Sequence, residues 1–501
     1  MSTDRIEKQW IQDIAEKAVL NIEGLPDNEK VDVYLESERS YDLATFASIR
    51  FMGTDYLMIV SEIEADYEFK GKSTIIDDHL VLICPENDEN VSVLRKRFPF
   101  TNPSEIGKAK STFGVGDRLG IAGPGHLRVF NNTDMIPVLA QQSLRELELT
   151  GRKYTDIIAA ASWSVYKSGY SGPWAADGDH LKHAEDVSSA VEQGCTMITA
   201  DLSDHIGFNI PGLTNAEVRK LYNKLDAGYR SRVEEAYNGK ISLSSGLVLN
   251  FDPEVLASVV LTYKNAIQHA GVLYNAAMLY RESLDFEISI DETELPTTLE
   301  AHYFVARELM HEGIRFTSIA PRFVGEFQKG IDYIGNLDDF ETDFEGHAVI
   351  AADLGYKISV HSSSDKFSAY PIIAKKRKGS FHLKTSGTNW LIALEVVAVN
   401  DPELFRTVFT YAYEIFSIAR AYYHVTPDMS IKTDLTTKSD NELLEVFKNP
   451  TDRQVLHISY GEVFKMAEMK RRLFYVFNNN ISDYWDRLEN HIGRHIEMLD
   501  S

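Results

Sequence analysis

Eight times between residues 113 and 390, a short apolar run breaks off in a cluster of polar or charged residues. That rhythm constrains the fold more than any other feature of the chain. The eight segments are FGVGDRLGIA (113–122), IPVLAQQS (136–143), GPWAADGDH (172–180), TMITADLSDH (196–205), FEISIDETE (286–294), RFTSIAPRF (315–323), KISVHSSSDKF (357–367) and FHLKTSGTNW (381–390). Helix-like stretches lie between them at 154–168, 184–193, 253–282, 298–313 and 339–354, with 389–398 after the last. Strands alternating with helices predict a parallel sheet. Eight such units fit a closed (β/α)8 TIM barrel, in which active-site groups sit at the C-terminal strand ends. Helix caps and turns account for many of the Asp and Ser residues there. They account poorly for His180, His205, His361, His382 and Lys384.

The flanks differ from this pattern. Residues 1–108 read as a small N-terminal α/β domain. Ile6, Trp10, Ile14 and Ala18 recur at helical spacing, 57–60 and 80–84 are strand-like, and 91–99 is a short helix ended by proline. The barrel is expected over 109–400, with a long insertion at about 206–250 placed to cover substrate. Residues 401–501 read as a C-terminal helical extension. The net charge of −24 argues against nucleic acid and anionic membranes as partners, and leaves an anionic small molecule open. The polar start MSTDRIEKQW and the lack of any apolar run near about 18 residues suggest a cytoplasmic protein. Cys84 and Cys195 sit in apolar runs and are expected to be buried thiols.

Five motifs carry chemistry. In Asp177-Gly178-Asp179-His180 the two carboxylates share one face of an extended segment, and His180 turns into the loop. Imidazole with carboxylate suits a divalent transition metal such as Zn, Mn, Ni or Co; a helix cap is the plainer reading. His361 follows the strand KISV, and Ser362, Ser363, Ser364, Asp365 and Lys366 after it suit an anion site or an ordinary Ser-rich turn. Asp291, Glu292 and Glu294 repel one another unless a cation or proton intervenes, and a solvated loop is the alternative. His382 and Lys384 alternate with Phe381 and Leu383 and so face the interior, as catalytic groups or as a structural ion pair. Gly114, Gly116 and Gly120 have the wrong spacing for a dinucleotide loop, so no NAD is expected. Arg118 and Arg322 are candidate carboxylate clamps. Asp201, Asp204 and His205 form a further strand-end cluster. His424, His457, His491 and His495 read as surface or packing residues.

Taken in order, GVGDRLGIA, LAQQS, ADGDH, SDH, DETELPT, HSSSDKF and FHLKTSGTNW resemble the tagaturonate epimerases of hexuronate catabolism, with HISYGEVF (457–464) as a looser match. The resemblance implies a metal-dependent barrel enzyme that interconverts D-tagaturonate and D-fructuronate, keto sugar acids. A more distant likeness to class II aldolase barrels pairs Asp179 and His180 with an Asp-His strand end, and His361 with a ligand followed by an anion loop. On that likeness His180 and His361 are metal ligands. The sixth strand offers Arg322 where a third ligand is expected, which leaves Glu292 as first choice and His382 as next.

The expected mechanism is retro-aldol cleavage and re-addition. Asp179 moves the proton, Lys384 stabilises an alkoxide, and Asp177 is the third candidate catalytic residue. Arg118, Gln141, Arg322, Ser363, Ser364, Asp365 and Lys366 are expected to contact substrate. An aldolase or ketose isomerase using the same site, or a non-catalytic sugar-acid binding protein, are the competing readings. Oligomeric state is left open.

Overall fold

The structure is a computed structural model that describes residues 3–23, 30–62, 67–385 and 387–500. Near the N-terminus, β1 (Asp32–Tyr41), β2 (Ala44–Phe51), β3 (Thr54–Ser61), β4 (Lys72–Ile76) and β5 (His79–Pro85) form an antiparallel sheet in the order β1-β2-β3-β5-β4. The helix Thr3–Glu23 lays Ile11, Ile14, Ala15 and Ala18 on one face of that sheet. The expected spacing of apolar residues is present at Ile14 and Ala18, while the side chain of Ile6 lies outside the described residues. The other sheet face packs through Phe46 and Leu57 on Trp163 and Tyr166 of a barrel helix.

The barrel strands are β6 (Thr112–Val115), β7 (Ile136–Ser143), β8 (Ala175–Leu181) and β9 (Met197–Asp201). After the hairpin of β10 (Gly239–Ser242) and β11 (Val248–Phe251) come β12 (Asp285–Ile290), β13 (Ser318–Pro321), β14 (Lys357–Val360) and β15 (Phe381–Thr385). All eight barrel strands are parallel, and pairing of β9 with β12 and of β15 with β6 closes the ring. Alternation along each strand divides the side chains. In β12, Phe286, Ile288 and Ile290 belong to the apolar core, while Asp285, Glu287 and Ser289 are buried polar groups of the opposite parity. The interior is therefore ionic where most barrels are filled with branched apolar side chains.

The fourth-unit insertion forms the helices Asn215–Tyr222 and Ala227–Tyr237 and the β10–β11 hairpin. It is fastened to the outer helices: Arg232 pairs with Glu308 at 2.6 Å, and Tyr237 Oη donates to the same carboxylate at 2.8 Å. Contrary to expectation, those elements pack on the helical ring. It is the C-terminal helices that reach the loops at the mouth. They bury Leu404, Phe405, Leu456, Tyr460 and Leu488 in one core with Trp390 of the last barrel helix. Cys84 and Cys195 are buried free thiols, as expected.

Candidate active site

The lowest interior layer is structural. Asp285 accepts the N–H groups of Ile106 and Gly107 at 2.7 and 2.9 Å, and Lys357 Nζ donates to Thr112 Oγ1 at 3.2 Å. His382 belongs to this layer: its Nδ1 lies 2.8 Å from Thr112 Oγ1. Burial, with Lys384, Lys357 and His361 nearby, drives its imidazole down to about 3 despite Glu287. It sits two residues below Lys384 on the same strand face, roughly 6–7 Å deeper, so it is not one of the histidines that converge at the mouth.

Lys384 organises the middle layer. Its ammonium meets Asp177 Oδ2 at 2.9 Å, Asp179 Oδ1 at 2.6 Å and Glu287 Oε1 at 3.1 Å, and donates to Thr199 Oγ1. Burial opposes the charge, and the three carboxylates overcome it and hold the ammonium well above its usual range. A lysine so surrounded has its donors committed, which argues against the expected role at a substrate alkoxide. Asp177, fully buried, is raised to about 6 by burial, then by Asp179 and Glu287, against the pull of Lys384. Burial also raises Asp179, but His180 and Lys384 win and hold it well below the usual carboxylate range.

Three strands deliver the top layer. His180 stands at the end of β8, Asp291 follows β12 and His361 follows β14. Their ligand atoms lie within 4.8 Å of one another. His180 Nδ1 donates to Asp179 Oδ1 at 2.8 Å, which leaves Nε2, 3.9 Å from Asp291 Oδ1. His361 Nε2 donates to Glu287 Oε1 at 2.7 Å, which leaves Nδ1, 3.3 Å from the same Asp291 oxygen. Each imidazole is thus tied by a carboxylate on one nitrogen and presents the other, the arrangement typical of metal-binding histidines. His361 Nδ1 is buried without a hydrogen-bond partner among the described residues. Charge leads to the same conclusion. Asp177, Asp179, Glu287 and Asp291 face one ammonium, and both histidines respond: burial disfavours their cations, yet the carboxylates raise them. Two imidazolium charges or one divalent cation satisfies this cluster, and the donor set of two imidazoles and a carboxylate fits the cation.

Backbone strain marks the same place. His180, Ser362 and Asp365 have positive φ values of 55, 49 and 60°, uncommon for residues other than glycine and frequent at functional turns.

The other expected site residues divide. Glu292 is exposed, and Asp291 takes the position expected of it. Arg322 sits at the rim, 3.7 Å from Glu326. Gln141 is buried inside the barrel and donates to Thr385 O at 3.4 Å. The serine loop is closed on itself: Ser363 donates its N–H and hydroxyl to Lys384 O, and Ser364 is buried. Lys366 is fully buried and spends its ammonium on the carbonyls of Gln328, Ile331 and Ser364 at 2.6–2.8 Å. That satisfies its donors, so it binds protein where substrate was expected.

Asp365 faces Arg453 at 2.8 Å, His491 at 2.9 Å and His495 at 3.7 Å. His495 Nε2 already accepts the Asp365 N–H, and Arg453 supplies the counter-charge. That grouping joins the tail to the barrel. Asp204 pairs with Lys182 at 2.8 Å and His205 stacks on His269 at 3.8 Å, both apart from the His180 cluster. The glycine run after β6 is wrapped round Asp117, whose carboxylate accepts the N–H groups of Leu119, Gly120 and Ala122.

Arg118 is paired with Glu146, with Nε and Nη2 at 2.9 and 2.5 Å from Oε1, and stacks over Tyr460 at 4.1 Å. Sequence reasoning passed over Glu287, Glu146 and Lys329, and read the buried His457 as a surface or packing residue. Of these only Glu287 had a signal, its shared parity with Asp291.

The sequence matches the family described as tagaturonate epimerase over residues 34–499. A tagaturonate/fructuronate epimerase of Thermotoga maritima is 38% identical over 470 residues, 94% of this chain and 97% of that protein. A glycerol-complexed crystal structure of the fructuronate-tagaturonate epimerase of Cohnella laeviribosi superposes with a TM-score of 0.90 at 39% identity, covering 94% of this chain and 96% of that one. The native structure of the same enzyme gives the same values. No helix among the described residues is long and apolar enough to cross a membrane.

Proposed function

The chain belongs to the tagaturonate epimerase family and is an isomerase-class enzyme, and we propose that it interconverts D-tagaturonate and D-fructuronate using a divalent cation held by His180, His361 and Asp291. The observation that carries this reading is the convergence of three ligand atoms within 4.8 Å, with each imidazole oriented from behind by Asp179 or Glu287. The chemistry explains why such a site suits the reaction. Numbered from the hydroxymethyl end, the ketone is C2, the carboxylate C6 and the inverted centre C4. The C4 hydrogen is two carbons from the ketone and is not acidified by it. Cleavage and re-formation of the C3–C4 bond reaches that centre without removing the hydrogen.

When bound, the cation supplies Lewis-acid polarisation of the ketone end of the substrate. The protein's own groups move the proton. Both hydrogen bonds described for Asp179, from His180 and Lys384, fall on Oδ1. We assign Oδ2 to the C4 hydroxyl proton. As that proton leaves, the C3–C4 bond breaks, its electron pair passes toward the C2 carbonyl, and C4 becomes an aldehyde. The aldehyde fragment turns over, C3 adds to its opposite face, and Asp179 returns the proton to O4. Lys384 keeps Asp177, Asp179 and Glu287 ionised and in place.

The test is NMR of D-tagaturonate incubated with the purified protein in D2O, with and without EDTA. Metal-dependent formation of fructuronate with hydrogen retained at C4 is expected. Deuterium at C4 overturns the cleavage mechanism; absence of the epimer with every added metal overturns the activity.

A further inference from the structure

The helix Pro450–Lys465 carries His457, fully buried, with neither ring nitrogen hydrogen-bonded among the described residues. A buried imidazole without a partner costs free energy unless something absent from the free protein completes it. Arg118 presents a second such group. Its Nε and Nη2 are taken by Glu146, while Nη1 is buried and unpartnered.

Both groups aim at one point. A carbon placed on Gly387 as a β-carbon would lie 2.1 Å from Arg118 Nη1 and 2.7 Å from His457 Nε2, so the two nitrogens close on the same residue and only a glycine lets them converge there. Gly387, with φ of 80°, is the cap of the thirteen-residue helix Thr388–Asn400, whose positive end opens there. A second cation stands close. Lys329 donates to Ser362 Oγ at 3.1 Å, and Ser362 follows His361 directly. Burial depresses Lys329, and it feels Glu146, Arg118, Arg145 and Asp179, which sets it between the two clusters. Of the charges that bear on His457 and Lys329, the cations Arg118, Arg145, Arg453 and Lys329 itself outnumber the carboxylates Glu146, Asp179 and Asp365 by one, which leaves room for an anion. Burial and the charges of Arg118 and Lys329 keep His457 neutral, so it has one N–H to give.

The C-terminal extension builds this corner. Gln454 donates to Gln328 Oε1 at 2.8 Å, Arg453 Nε donates to Gly330 O at 2.7 Å, and both contacts flank Lys329.

We propose that Arg118 Nη1, His457 and Lys329, beside Gly387, form the pocket for the C6 carboxylate of the substrate, so that the C-terminal extension makes this a site for sugar acids over neutral sugars. The proposal rests on the keto sugar acid reading above and assigns its charged end. It replaces Lys366 and the serine loop, whose polar groups are tied to the protein.

Calorimetric binding to the metal-loaded full chain tests it without turnover. The probes are L-galactonate, which is tagaturonate with its ketone reduced, and galactitol, in which the carboxylate is reduced as well. The wild type is expected to bind the acid at least about tenfold more tightly, as charge-assisted contacts imply. In His457→Phe and Lys329→Met that margin should fall about fivefold or more, with galactitol affinity unchanged. His457→Gln, which keeps a donor, should retain part of it. A wild type with no preference, a margin that survives both substitutions, or an equal loss for acid and hexitol overturns the pocket. A preserved margin in a wild type that does not epimerise tagaturonate overturns the reaction and leaves the pocket standing.

Discussion

Asp291 and Glu292 are neighbours in sequence and opposites in the fold. Along β12 the interior face takes Glu287 and Ser289, and Asp291 continues that parity, accepting from Ser289 Oγ at 2.5 Å. Glu292 falls on the other side and is exposed. The two-residue period was present in FEISIDETE, so the carboxylate that joins His180 and His361 was legible; choosing by side-chain type where parity decides picks its exposed neighbour instead. The same parity places Glu287 behind His361. Glu287→Gln should weaken metal binding about 10–100-fold while the fold is retained, as measured by metal titration of the apo protein; wild-type affinity would remove Glu287 as the orienting group. Asp179→Asn, studied at saturating metal, should lose turnover by about 10²–10⁴-fold with the ion still bound. Residual activity near wild type would move the proton step elsewhere. His180 and His361 stood out because an imidazole at a strand end has no role as a cap, and Asp179 because it directly precedes one of them. His457 and Lys329 did not. Their meaning depends on which distant segment folds over the mouth, and no local pattern carries that.

The strands and most long helices were legible for a local reason. Apolar runs bounded by turn residues and helices such as Tyr154–Lys167 and Leu337–Leu354 announce themselves by period. The helices Gly123–Phe130 and Tyr370–Lys376 did not, because each is short and begins with residues that also make loops. The first of these has a particular task. It crosses the final helix, Ile481–Asp500, so closely that a β-carbon on Gly125 would sit 2.9 Å from Trp485 Cα and 3.1 Å from Trp485 O. Backbone cannot yield as a side-chain tip can. Gly125→Val should therefore lower stability by about 1–3 kcal/mol and loosen the C-terminal helices from the barrel, read by denaturant unfolding and by proteolysis of the tail. An unchanged midpoint would show that the crossing tolerates a wider spacing.

At the scale of the whole molecule, the question is what holds an ionic barrel interior together in a chain of net charge −24. The four carboxylates of the site come from β8, from β12 and from the turn after β12, while His361 follows β14 and Lys384 lies on β15. These strands lie on different sides of the ring, so their mutual repulsion acts to open the barrel at its mouth. A divalent cation on His180, Asp291 and His361 would draw them together, and ligand binding to the folded state adds stability of RT ln(1 + [L]/Kd), about 2.7 kcal/mol at a hundredfold excess over Kd. Stripping metal with EDTA is therefore expected to lower the melting temperature by a few degrees, roughly the shift that such an increment gives in a large domain. His361→Gln removes a ligand atom, so its lower melting temperature should no longer respond to EDTA. Equal melting of wild type with excess Mn²⁺ or Zn²⁺ and with EDTA would mean that protonated His180 and His361, and not a cation, balance the carboxylates.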